Sequence, residues 1–289
     1  MSRNTRFRET GFTLIESIIA IVITGILAGV VAVFIGKPVE GYVDSVRRAE
    51  LTDAADVALR RMTRDVRLAL PNSLRVTTAG GVNYIEFIMT SAGGRHRDPG
   101  DGSTAGNFLS YTDAGDISFD VLGTMPAIAL NDYIAVYNLG PGYEPANAYR
   151  RDEAQCDATP ASPGCNIAKV SAIAGNVITL DANPFAYQSP PLPSPSARFQ
   201  VVPGAVRAVT YACPAAAGNF TRYWDYGFNA VQPTAFGGSS ALLATGASCT
   251  VEYTANATGR NGLLFVQLSL SSGGESISLF QQIHVDNAP

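Results

Sequence analysis

The hydrophobic pattern along the chain changes twice. Eleven mostly polar residues lead into an unbroken apolar run from Phe12 to Ile35, FTLIESIIAIVITGILAGVVAVFI, in which Glu16 is the one charge. At 1.5 Å per residue a helix of that length covers about 36 Å, enough to cross a bilayer core of about 30 Å. From Lys37 to Leu70 the apolar positions thin out to a stripe: Val39, Tyr42, Val43, Val46, Leu51, Ala55, Ala58, Leu59, Met62, Val66 and Ala69. Steps of mostly three or four predict an amphipathic continuation of the same helix, with Asp44/Arg48 and Asp56/Arg60 spaced to pair on its polar side. Gly36 and Pro38 are candidate kink positions, and Pro71 ends the helical pattern.

Beyond Pro71 the period becomes two. Leu74–Ala79 and Val82–Thr90 flank a Gly80-Gly81 turn and predict a hairpin. Further strands are predicted over Asn107–Leu122, Asp132–Asn138, Ala168–Ile173, Val177–Leu180, Phe199–Val202, Val206–Cys213 and Cys249–Thr254. A last pair, Leu263–Leu270 with Ser276–Val285, turns at Ser272-Gly273-Gly274. Three long loops separate them: Ser91–Gly106, Pro141–Asn166 and Pro184–Ser196, the last read as a polyproline-like spacer without packing capacity. The expected class is therefore α+β, a long N-terminal helix packed on a mostly antiparallel β domain. The expected division is 1–11 leader, 12–36 transmembrane helix, 37–70 amphipathic helix and 71–289 β-rich domain.

Charge sharpens this two-part picture. Residues 1–75 carry 11 Lys/Arg and 8 Asp/Glu, while 76–289 carry 9 and 16, so a net of -4 divides into +3 and -7. Only 15% of residues are charged, against about 25% in an ordinary domain. No global basic field advertises a nucleic-acid partner. The arginines at 47–48 and at 60, 61, 64 and 67 read as a solvated or subunit-facing surface, since Asp53, Asp56 and Asp65 interleave with them.

Candidate chemistry is sparse. Two histidines, His96 and His284, exclude a His-rich metal centre, and H-E-x-x-H, G-x-S-x-G and Walker A patterns are absent. No enzyme activity and no cofactor are expected. Asp98 and Asp101 offer oxygen ligands, but without EF-hand spacing, and read as solvated loop. The cluster Phe220, Tyr223, Trp224, Tyr226 and Phe228 reads as core aromatics rather than a binding platform. Four cysteines, Cys156, Cys165, Cys213 and Cys249, allow three pairings. The turn-forming Pro160 and Pro163-Gly164 favour Cys156–Cys165 with Cys213–Cys249. Zinc is the rival reading, without C-x2-C spacing.

The leader carries Arg3, Arg6 and Arg8, which predicts that it stays cytoplasmic while the bulk of the chain lies outside, in an oxidising compartment. The apolar run is too long for a secretory signal and no small-x-small cleavage site follows it. Gly11-Phe12-Thr13-Leu14-Ile15-Glu16 instead resembles the class III signal of type IV pilins and pseudopilins. The resemblance implies that a prepilin peptidase cuts between Gly11 and Phe12 and methylates the Phe12 amine. It also implies that Glu16, one turn along the helix, pairs with an N-terminal amine and sets axial register. Cleavage would remove three Arg and one Glu and leave the mature chain at -6.

Further segments are similar to the O-type minor pilins of the MSHA (mannose-sensitive haemagglutinin) pilus biogenesis system. They are VEGYVD at 39–44, ALPNSLRV at 69–76, NDYIAVYNLG at 131–140 and QQIHVDNAP at 281–289. Where many major pilins carry a helix proline this chain has Val33, which favours a low-abundance subunit. The resemblance implies an inner-membrane prepilin that joins a pilus, priming its assembly or capping its tip. Its implied partners are prepilin peptidase, major and minor pilins, the inner-membrane assembly platform and membrane lipid. A type II secretion minor pseudopilin, and a tip adhesin or ligand-binding module, are the alternatives.

Overall fold

The computed structural model describes residues 11–98, 106–153, 156, 164–255 and 261–289. The chain divides into two units, Met1–Glu50 and Leu51–Pro289. One helix, α1 (Leu14–Arg67), supplies the first unit and the start of the second. Its backbone is helical through Gly36 and Pro38, whose side chains lie outside the described ones. The helix starts at Leu14 rather than Phe12 and ends at Arg67 rather than Leu70. Ala69 has already left it, to bridge Met89 in extended pairing, and Leu70 N–H donates to Ile88 O at 2.8 Å. Pro71 is thus not what stops the helix; pairing with a strand is.

In the second unit, α1 lies on a seven-stranded antiparallel sheet in the order β1-β2-β9-β10-β11-β12-β13. The strands are β1 (Arg75–Ala79), β2 (Val82–Ile88), β9 (Ala208–Pro214), β10 (Gly218–Trp224), β11 (Ser239–Thr254), β12 (Asn261–Ser272) and β13 (Glu275–Asp286). Ala55, Ala58, Leu59, Met62 and Val66 recur on one helical face and are buried against the sheet. The sheet answers with period two: Leu264, Val266, Leu268 and Leu270 of β12 are buried, with half-exposed residues between them.

The chain between β2 and β9 leaves the sheet and returns to it. β2 and β9 pair from Val82↔Pro214 to Ile88↔Ala208. The excursion forms a closed six-stranded barrel, β3-β4-β7-β6-β5-β8. Its strands are β3 (Ala92–His96), β4 (Ser118–Leu122), β5 (Tyr133–Ala135), β6 (Ile167–Ala174), β7 (Val177–Leu180) and β8 (Arg198–Val202). Closing the sheet on itself removes its edges. The interior is filled by Phe119, Phe185, Phe199, Ile134, Ile178 and Val201. Gly94 is required there, because a Cβ would meet the Phe199 ring at 2.5 Å. A third core, with Leu70, Ile88, Tyr149, Ile167, Val202 and Phe228, joins barrel to sheet.

Several expected boundaries shift. The strand expected over Asn107–Leu122 begins at Ser118, and the expected loop Ser91–Gly106 contains β3. The Pro-rich spacer packs after all. Phe185 is fully buried, Gln188 Nε2 donates to Cys165 O at 3.0 Å, and Arg198 N–H donates to Ser194 Oγ at 3.0 Å. Sheet and barrel together make the mostly antiparallel β domain of an α+β fold.

Candidate functional site

The N-terminal site is local. Thr13 Oγ1 accepts the Glu16 backbone N–H at 3.3 Å and donates back to the Glu16 carboxylate at 3.4 Å. Thr13 thus caps one of the free backbone donors at the helix start, while the Glu16 carboxylate takes the Thr13 hydroxyl rather than its backbone N–H, and a negative side chain there also complements the helix dipole. The T-x-x-E spacing was legible in the sequence, beginning two residues after Gly11, and the reading of Glu16 as a register residue passed over it. Glu16 therefore has an intramolecular partner before it meets any other chain.

Behind this cap, α1 exposes its apolar side chains on every face. Phe12 is 76%, Leu14 82%, Ile21 71% and Phe34 76% exposed. An 18-residue window of the helix reaches a mean hydropathy of 3.0 and none of it is buried within the fold. Uncovered apolar surface on this scale demands lipid or other subunits around it.

Further along, α1 divides its charges between two environments. Asp44 engages Arg47 at 3.4 Å and Asp56 engages Arg60 at 2.7 Å on the solvated side. Asp65, expected among the interleaved surface acids, is instead buried. Its Oδ2 accepts from Arg222 Nε at 2.8 Å and from Tyr211 Oη at 2.9 Å. The Arg222 guanidinium also lies 4.8 Å from the Trp224 ring centre. A second buried pair sits where sheet meets barrel. Glu86 accepts from Arg75 Nε at 2.7 Å and Tyr226 Oη at 2.9 Å, and Arg75 stacks 3.7 Å over Tyr149. Burial raises the Glu86 carboxyl above its usual range despite Arg75 beside it. The Asp65–Arg222 pair was not visible in the sequence, because its members lie 157 residues apart, whereas Arg75 and Glu86 face each other across the β1–β2 hairpin and only Tyr226 reaches them from far along the chain.

The expected aromatic cluster is dispersed. Phe220 enters the sheet core, Phe228 the sheet–barrel core, Tyr223 stacks on Phe236 at 4.5 Å and Tyr226 serves Glu86. An open cleft of about 570 Å³ does form elsewhere, lined among others by Asn72, Tyr137, Tyr143, Tyr253 and Asn287. Its amides are occupied by the fold. Asn72 N–H donates to Asn287 Oδ1 at 3.2 Å, Asn72 Nδ2 to Asn138 O at 2.8 Å, and Asn138 Nδ2 to Pro71 O at 2.7 Å. Segments 69–76, 131–140 and 281–289 meet around these three asparagines.

Disulfides join Cys156 to Cys165 and Cys213 to Cys249, with Cα separations of 5.2 and 5.8 Å. The turn at Pro160 and Pro163 lies outside the described residues, as do Asp101 and the leader arginines. Among the described residues no group of three His, Cys, Asp or Glu is gathered for a metal ion.

Compared with models of known families, residues 6–32 match the prokaryotic N-terminal methylation motif. That span contains Gly11, Phe12, the Thr13–Glu16 cap and most of the uncovered apolar run. No curated protein and no solved structure matches the chain. The motif and the helix behind it define a prepilin-type protein, one processed by a prepilin peptidase. The apolar helix fits anchoring in the inner membrane.

Proposed function

We propose that the chain is a minor subunit of a type IV pilus of the MSHA kind, cut between Gly11 and Phe12, methylated at Phe12, and incorporated to prime assembly or cap the tip. The observation that carries this reading is the wholly uncovered apolar helix directly behind the processing motif. Such a helix is held by lipid before assembly and by the helices of neighbouring subunits after it. The size of the β unit favours low copy number. A barrel inserted between two paired strands enlarges the part of each subunit that a bulk filament would have to pack many times over. On this reading the chain works by assembly rather than catalysis, with the assembly platform and other pilins as partners and its β unit outside the inner membrane.

Mass spectrometry of the protein from purified pili tests it. An N-methylated Phe12 terminus in the pilus fraction is the expected result. An unprocessed Met1 terminus confined to membranes refutes it. The second reading, a minor pseudopilin, shares the motif and helix, and predicts failed secretion with pili intact when the chain is deleted.

A further inference from the structure

The sheet ends on one side in β13, whose single paired neighbour among the described strands is β12. This edge is 12 residues long, and its central stretch 276–283, SISLFQQI, contains no charge, proline or glycine. Natural sheets blunt such edges, because an open row of N–H and C=O groups pairs with any compatible strand. The opposite edge, β1, is only 5 residues long. Beside β13 runs a groove of about 350 Å³ lined by Arg60, Thr63, Arg64, Arg67 and Leu68 of the α1 end together with Gln281. The three arginines are exposed and no acidic residue lines the groove; Arg60 is held by Asp56 on its own helix at 2.7 Å, Arg64 lies 4.0 Å from Asp65, and Arg67 makes no ion pair among the described residues. On the outer face of the same strand Phe280 is 63% exposed.

We propose that the β13 edge and this arginine groove form one docking site for an extended, carboxylate-bearing polypeptide segment, which adds to the sheet as an eighth strand. Alternation along the incoming strand places every second side chain on the helix side, against Arg60, Arg64 and Arg67, and the others on the outer side beside Phe280. The occupant is therefore acidic at one parity and apolar at the other. Charge disfavours a second copy pairing through the same edge. Gln281 lies near the middle of β13, so an antiparallel pair of β13 strands would bring two arginine grooves together. The arginines thus discourage self-pairing while selecting an acidic partner. The site lies wholly in Leu51–Pro289 and does not depend on the pilus reading.

The test uses the full chain in detergent and a fluorescein-labelled, N-acetylated nonapeptide alternating Glu with Val, read by fluorescence anisotropy. Saturable binding is expected, with a Lys-for-Glu peptide weaker by about tenfold, the summed effect of three exposed and individually weak charge contacts. The Arg60→Gln/Arg64→Gln/Arg67→Gln variant, checked for native Trp224 fluorescence, should abolish that preference, and added salt should weaken it. N-methylating the Glu/Val peptide amides along one edge should remove binding, and along the other should leave it. The proposal is overturned by absence of binding, by equal binding of both peptides, or by indifference to N-methylation on either edge. It is also overturned if inorganic phosphate or anionic vesicles compete fully, or if the chain dimerises through β13.

Discussion

Replacing Asp65 tests how the helix is held to the sheet. Both Asp65 and Arg222 have side chains only 9% exposed, and their contact is 2.8 Å. At an effective dielectric constant near 20 the attraction at that distance is roughly 6 kcal/mol, much of it offset by the cost of burying the two charges. The net worth of the pair against an apolar replacement is therefore small. The cost of removing one member is not, because the other stays buried and unpaired. Asp65→Asn keeps the shape but leaves the Arg222 charge uncompensated and weakens the acceptor for Tyr211. It should cost about 3–5 kcal/mol. Arg222→Met leaves the carboxylate stranded and should cost a similar amount.

The double variant discriminates. With both charges gone, neither is stranded, and the loss should fall below the sum of the singles by at least about 2 kcal/mol. Urea unfolding followed by Trp224 fluorescence is the assay, since Trp224 is the one tryptophan and sits on β10 two residues from Arg222. It reports the sheet separately from the barrel, which need not unfold in the same step. Single substitutions costing under about 1 kcal/mol, or additive losses in the double variant, would refute the argument that this buried pair fixes α1 on the sheet.

Three further outcomes follow from the same geometry. Cys213–Cys249 closes a sequence separation of 36 and Cys156–Cys165 one of 9. Paired Cys→Ala changes should thus destabilise the sheet by about 4 kcal/mol and the barrel junction by about 2.5–3, read by urea titration; the reverse order would contradict the loop-entropy account. Burial holds the His96 imidazole below its ordinary range, and its Nδ1 lies 2.9 Å from Arg97 O inside the barrel wall. The unfolded chain then takes up this proton more readily, so stability should fall as pH drops below about 6.5. His96→Leu should flatten that slope relative to wild type, whereas Glu86, shifted upward, acts in the opposite sense in both; identical slopes for the two chains would exclude His96 as the source. Glu16→Ala keeps the Thr13 Oγ1 cap on the backbone N–H of residue 16 and loses only the exposed hydroxyl–carboxylate contact and the charge at the helix start, so it should cost under about 1 kcal/mol, and it should reduce incorporation into pili while leaving cleavage after Gly11 intact. Normal pilus incorporation of that variant would remove the register role.

What the sequence showed and what it hid divide by the range of the interactions involved. The α1 stripe, the β1–β2 hairpin and the β12–β13 hairpin were legible because each depends on neighbours within one or two turns of chain. The start of β11 and the whole of β3 were not. β3 reads AGGRH, with two glycines and no apolar alternation, and is a strand only because β4 and β8 pair with it to close the barrel. Helix termination was misread for a related reason. Leu68 to Leu70 have ordinary helical residues, and it is the distant β2 strand, through Ile88 and Met89, that draws them into extended pairing. Asp65 looked like its neighbours Asp53 and Asp56, and what sets it apart is Arg222 arriving from β10.

The same distinction bears on how far each part of the functional reading reaches. On the proposed reading the processing site is a local code: Gly11, Phe12, the Thr13 cap and the apolar run act within one stretch of chain, most of which the methylation motif spans. The segments at 69–76, 131–140 and 281–289 work differently. Asn72 donates to Asn138 O, Asn287 accepts the Asn72 N–H and Asn138 donates to Pro71 O, and through them the segment after α1, the barrel and the C-terminal tail are fastened together. Those segments are therefore where the barrel is fastened to the sheet. On the proposed reading, membrane delivery and cleavage rest instead on the apolar run of α1 and the residues just before it. Disrupting Asn138 should accordingly loosen the β unit without affecting processing, and changing Gly11 should block processing without loosening the β unit.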